Sequence, residues 1–281
     1  MRTDIEAARQ RIEATRAFVP GYIAATPTLA RFGRHAALLM HGSTTFGFAD
    51  ACADLDVWMV TPADESELER LPTRFFEFKI DGAKGHLTLE SARSMDTRVR
   101  GGDLPLIYEL RHAVVFGDEG LLEDTLLLAK RPMSDAFRRA RFMYYYVEMR
   151  SEHRAIDNPI DRGDSVAMLL AIGKTLERAL QASIVLDGEA FPYVKWLDWA
   201  SKQTPMGQAV APHVAEVLRC LAAGVLHVAG PECDHPLTHV FKAIRSVLVT
   251  RAMECEINEP WLREWWLHIP QARAAGLVPW A

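Results

Sequence analysis

Apolar residues in the first part of the chain recur at helical spacing and then switch to a spacing of two. Ile5, Ala8, Ile12 and Val19 mark one face of a helix over Asp4–Val19, with Thr15 filling the weaker position of the stripe. Pro20-Gly21 predicts the end of that helix, and a second short one is expected over about Thr28–Arg34. Ala36–Met40 reads as a buried strand running into a Gly42-Ser43 turn, and Leu55–Thr61, β-branched and aromatic with partial alternation, as a second strand. Acidic Asp64–Leu71 is helix-like. Two alternating runs, Arg74–Ile80 and Gly85–Leu89, flank Asp81-Gly82-Ala83-Lys84 and predict a hairpin. Leu104–Leu110 reads as helix and Ala113–Phe116 as a last strand.

Beyond about Ser134 the period of two disappears. Ser134–Ala155 predicts a long helix capped by Ser134, and Asp164–Leu186 another, with Val166, Leu169, Leu170, Leu176, Leu180 and Ile184 as its apolar stripe. Further helices are expected near Tyr193–Ser201, Gln208–Val228, Leu237–Glu256 and Trp261–His268, separated by Pro192, Pro205, Gly230-Pro231 and Pro260. The pattern therefore predicts an α+β chain: a small mixed-sheet domain over residues 1–133, N-terminal helices included, then an all-α bundle over 134–281. There is no internal repeat and no low-complexity tract.

Composition narrows the function classes. The 281 residues are 49% hydrophobic and 25% charged, which excludes a disordered chain and a disulfide scaffold. A formal net charge of −5 argues against nucleic acid as an obligate partner. No run of about 18 uncharged apolar residues is present, so no membrane span is expected. The charged first residues hold no signal-peptide core, and Cys52, Cys220, Cys233 and Cys255 lie far apart with no CxxC pair, so a cytoplasmic protein with reduced thiols is expected. The pattern leaves the oligomeric state open.

One segment, His41 to Val57, concentrates chemistry. A strand runs into Gly42-Ser43, where glycine permits close backbone approach and serine offers a hydroxyl. Gly47 follows, and then Asp54 and Asp56 stand at i and i+2 at the mouth of the next strand. Residues two apart on a strand face the same side, so both carboxylates can serve one hard cation such as Mg²⁺. A nucleoside triphosphate needs such a cation to neutralise its phosphates, and a Gly-Ser turn opening a helix offers N–H groups and a hydroxyl to the terminal phosphates.

At Leu39-Met40-His41-Gly42-Ser43 and Asp54-Leu55-Asp56 the chain resembles the nucleotidyltransferase superfamily of polymerase-β-like fold, whose fingerprint is a strand, Gly-Ser or Gly-Gly, a spacer and Asp-apolar-Asp. The resemblance extends over about Ala36–Phe116, and the helical half resembles that of antibiotic nucleotidyltransferases such as the aminoglycoside enzymes. It implies that Gly42 and Ser43 grip the triphosphate, that Asp54 and Asp56 bind Mg²⁺, and that a nucleoside monophosphate, AMP from ATP foremost, passes to a hydroxyl of a small acceptor. The site is expected in the cleft between the two halves.

The family often carries a third carboxylate on a neighbouring strand. Here the corresponding positions hold His86 or Thr88, with Glu90 on the same parity near the strand end and Glu77 on the preceding strand. Three readings stay open: Glu77 or Glu90 is the third acid, His86 is a general base, or the role is vacant and the protein is a nucleotide-binding sensor or interaction module. A protein hydroxyl is the other acceptor, which would make the chain a protein-modifying adenylyltransferase. In the helical half, Lys195 within Phe191-Pro192-Tyr193-Val194-Lys195-Trp196-Leu197 is either a cation reaching the triphosphate or a snorkelling surface residue. Arg162 is either a phosphate contact or a helix-start residue. Tyr144, Arg150 and Arg154 read as a solvated or packed helix face, and Trp265 and Trp266, between Arg263 and His268, as apolar packing. Cys233, His235 and His239 form a weaker zinc pattern without a fourth ligand.

Overall fold

The computed structural model describes residues 5–47, 53–117, 120–227 and 235–280. The chain divides into two compact units, Met1–Arg131 and Pro132–Trp280.

In the first unit, α1 (Ile5–Ala25) and α2 (Pro27–Phe32) precede β1 (Ala37–His41), β2 (Leu55–Thr61), a short α3 (Glu65–Leu68), β3 (Phe75–Ile80) and β4 (Ala83–Ser91). Then come α4 (Ala92–Arg100), α5 (Leu104–His112), β5 (Val114–Gly117) and α6 (Glu123–Lys130). The five strands form one mixed sheet in the order β3-β4-β2-β1-β5. β2 and β4 run parallel, and every other pair is antiparallel. Alternation decides the faces: Leu55, Val57 and Met59 of β2 and Leu87 and Leu89 of β4 pack against Val19 and Ile23 of α1, Leu29 and Phe32 of α2 and Leu68 of α3. The intervening positions, Asp56 and Trp58 among them, face the other side. The β3–β4 hairpin closes with a two-residue loop, Ile80 pairing Ala83, in which Asp81 and Gly82 both take positive φ as a type I′ turn requires.

α1 does not end at Pro20-Gly21 but runs through them. Val19 is fully buried and Ile23 nearly so. Burying such side chains contributes about 1.5–3 kcal/mol each, which offsets the roughly 3 kcal/mol that a mid-helix proline costs. α4 has no counterpart in the apolar pattern, because only Met95 and Val99 of its nine residues are buried; its clearest mark is the Ser91 cap, which accepts from Ser94 N. The Asp64–Leu71 helix contracts to four residues.

The second unit is all helical: α7 (Asp135–Arg154), α8 (Asp157–Arg162), α9 (Ser165–Leu186), α10 (Leu197–Ser201), α11 (Pro205–Ala222), α12 (Pro236–Glu254) and α13 (Ile269–Ala275). Ser134 and Asp164 cap α7 and α9 through Phe137 N and Ala167 N, as their side chains predict. α9 packs along α7, with α11 and α12 beside it. The predicted stripe of α9 is corrected at its start: Val166, Leu169 and Leu170 are 70%, 51% and 64% exposed, while Met168, Ala171, Ile172 and Thr175 are buried. Both faces of that first stretch are apolar enough to bury, so the neighbouring helices decide which one goes inward. Trp261–His268 forms two 3-10 turns, Pro260–Leu262 and Trp265–Leu267, rather than one helix. Among the described residues no helix is long and apolar enough to cross a membrane. Cys220 and Cys255 are free thiols; Cys52 and Cys233 lie outside the described residues.

Candidate nucleotide site

β1 ends at His41, and Gly42 turns the chain with φ +81° and ψ −161°, a backbone region that only glycine occupies comfortably. The turn opens a 3-10 helix over Ser43–Phe46 in which Ser43 and Thr44 are buried. Thr45 Oγ1 donates to Gly42 O at 2.8 Å, and Thr44 Oγ1 donates to Asp54 O at 3.1 Å, which ties the turn to the entrance of β2. The bare Cα of Gly42 lets Asp56 approach: a Cβ there would stand 2.8 Å from Asp56 Oδ2.

Strand register places the other candidates. His41 pairs Asp56, Asp56 pairs His86 and His86 pairs Glu77, so four chemistry-bearing residues form one row across four strands on one face of the sheet. His86 Nδ1 lies 3.4 Å from Asp56 Oδ1. An ionised carboxylate only accepts, so Nδ1 is the donor in this contact, and in the neutral ring the lone pair is left on Nε2. The Phe75 ring, 4.8 Å away, leans on His86, and His41 stacks on Trp58 at 3.7 Å. Both imidazoles are therefore held in orientation by an aromatic neighbour.

One residue that the sequence reading passed over completes the group. Glu109, on α5, accepts from Gly42 N at 2.9 Å and lies 3.5 Å from His41 Nδ1. It is the single acid in the otherwise apolar or basic segment Leu104–His112, and its side chain is largely buried. That isolation is the one local signal that could have singled it out, since nothing in helical spacing tells which strand end a helix meets.

The remaining candidates are more scattered. Asp54 is half-buried one residue before β2. Glu77 is exposed. Glu90 pairs Val60, four residues and roughly 13 Å along β4 from His86. Burial pushes its carboxyl above the usual range, and Arg98 partly opposes this. Lys195, in the second unit, is exposed with Nζ 5.8 Å from the ring centre of Trp196. His235 is buried and His239 exposed, and Cys233 lies outside the described residues. Among the described residues no group of three or more His, Cys, Asp or Glu side chains stands ready as a metal cage. Asp54 stands immediately before β2 and Asp56 within it; two carboxylates alone do not complete a Mg²⁺ shell, which usually takes water and phosphate oxygens as well.

No protein-family model matches the chain, and no curated protein matches it. Among solved structures, the chain is similar to a nucleotidyltransferase-like protein from Exiguobacterium sibiricum, at 11% identity and a TM-score of 0.47, over 94% of this chain and 88% of that one. A likeness this distant transfers no residue role.

Proposed function

We propose that the first unit binds a nucleoside triphosphate at the Gly42-Ser43 turn and transfers its nucleoside monophosphate, AMP from ATP in the first instance, to a hydroxyl of a small acceptor such as an aminoglycoside-like antibiotic. The observation that carries this reading is the glycine turn pressed against Asp56 in the same row as His86. In this reading Ser43 and the backbone N–H groups of the turn hold the terminal phosphates. Asp54 and Asp56 are the residues that would hold Mg²⁺, which when bound neutralises phosphate charge. His86, fixed through Nδ1 by Asp56, offers Nε2 to take the proton of the acceptor hydroxyl as that oxygen attacks the α-phosphorus and pyrophosphate leaves. Titration calorimetry with ATP and Mg²⁺ tests the first half of the proposal: binding to the native chain and its loss in Ser43→Ala and Asp56→Asn together support it, and equal binding by all three contradicts it.

A second reading, a nucleotide sensor with little turnover, is favoured by one specific observation. The Glu109 carboxylate occupies the Gly42 N–H and brings a negative charge to the place where phosphates would dock. Glu109→Gln keeps an acceptor for that N–H and removes the charge. It is expected to raise ATP affinity roughly three- to tenfold. Pyrophosphate release measured in the same samples separates the readings: the transferase gives acceptor-dependent release, the sensor binds without it.

A further inference from the structure

The second unit contains a cavity of about 380 Å³ whose charge is one-sided. The end of α7 contributes Arg150, His153 and Arg154, and α12 contributes Lys242 and Arg245. Four cations thus meet one carboxylate, Asp157, and that carboxylate is already paired with Arg154. Lys242 and Arg245 pair with no carboxylate among the described residues. The cations of a last helical turn complement the helix dipole, which accounts for Arg154 but not for Lys242 and Arg245 in the middle of α12.

Arg150 is the least expected member. Its Nη1 donates to Tyr146 Oη at 3.3 Å, its Nε is buried without a partner, and its guanidinium lies 5.5 Å from the ring centre of Trp265. Burial lowers the proton affinity of this guanidinium, and the Tyr146 hydroxyl opposes the shift. A half-buried arginine without an acid is costly unless something anionic arrives to complete it. His153, its ring 5.2 Å from that of Phe241, is held neutral: burial and then the surrounding Arg150, Arg245, Lys242 and Arg154 lower its pKa to about 4. The remaining wall is aromatic. Trp265 is buried, while Trp266 beside it is 56% exposed and lines the cavity.

We propose that this cavity is a second ligand site that binds a nucleoside phosphate, with the phosphate among Arg150, Lys242 and Arg245 and the base against the Trp266 indole. The cation cluster supplies phosphate recognition. An exposed indole on the wall supplies a stacking surface, and the volume exceeds what a bare phosphate fills. The inference rests on the second unit alone and stands whether or not the first unit transfers nucleotides.

Titration of the full chain with AMP, followed by tryptophan fluorescence and calorimetry, tests it. The titration is run in the Asp56→Asn background so that the first unit does not contribute. Saturable AMP binding is expected, with adenosine and inorganic phosphate each at least about tenfold weaker. Lys242→Gln, at an exposed position, and Arg245→Gln are each expected to weaken AMP about tenfold with the circular dichroism spectrum unchanged, and Trp266→Ala several-fold. Proton NMR of His153 gives an independent readout, because a bound anion favours the imidazolium and raises its titration midpoint from about 4. AMP affinity unaffected by Lys242→Gln and Arg245→Gln, phosphate binding as tightly as AMP, or a His153 midpoint unmoved by saturating AMP would each overturn the proposal.

Discussion

Asp56→Asn lowers triphosphate-dependent product formation by at least about a hundredfold and shifts the melting temperature by no more than about 3 °C. The two halves of this expectation have separate causes. Asn preserves the shape that fits under Gly42 but removes the charge that, in the proposed function, would hold a divalent cation, and loss of such electrostatic stabilisation would cost several kcal/mol of barrier, about tenfold in rate per 1.4 kcal/mol. Its amide can turn either an oxygen or an NH2 group toward His86 Nδ1, so the tautomer that leaves the lone pair on Nε2 is no longer enforced. Stability is spared because the Asp56–His86 contact is long, at 3.4 Å, and both side chains are partly exposed; polar contacts of that kind contribute about 0–1 kcal/mol. Steady-state rates beside a thermal melt check both parts. A variant that melts early and loses activity in proportion would assign Asp56 a structural role instead.

Gly207→Ala destabilises the second unit by about 3 kcal/mol or more, which lowers its melting temperature on the order of 10 °C. In an exposed helix interior this substitution ordinarily stabilises by about 1 kcal/mol. Gly207 lies in the first turn of α11, where a Cβ would stand 1.8 Å from Ser201 O and 2.4 Å from Ser201 C at the end of α10. Both obstacles are backbone, so no side-chain rotation relieves them, and α10 and α11 must separate. Thr204, which caps α11 by accepting from Gly207 N at 3.1 Å, loses its geometry in the same movement. Gly173→Ala on α9 is the matched control: nothing lies within 4 Å of the new methyl, and a small gain in melting temperature is expected. Differential scanning calorimetry on the two variants reads the opposite signs directly.

These positions also mark where a linear pattern stops being informative. Alternation in Leu55–Thr61 is enough to place Asp56 and Trp58 on the face opposite the core, because strand parity is local. The row joining His41, Asp56, His86 and Glu77 depends on pairing between distant strands, and nothing in any one segment states that register. The helix through Pro20 was hidden by a strong local breaker that tertiary burial of Val19 and Ile23 overrides. Glu109 was passed over, and Arg150 read only as part of a solvated or packed helix face, for one common reason. Each looks like an ordinary polar position on its own helix and acquires meaning only from what another element brings beside it: the end of β1 for Glu109, Lys242 and Arg245 of α12 for Arg150. Motifs of contiguous residues are legible in a sequence, whereas partners supplied by packing are not.

Incubation of the protein with ATP, Mg²⁺ and a panel of hydroxylated acceptors, aminoglycosides included, with the products weighed by mass spectrometry, tests the central claim most directly. The account predicts an acceptor heavier by one nucleoside monophosphate, formed together with pyrophosphate by the native chain and absent with Asp56→Asn. ATP left intact across the panel, or an adduct formed equally well by Asp56→Asn, would contradict it.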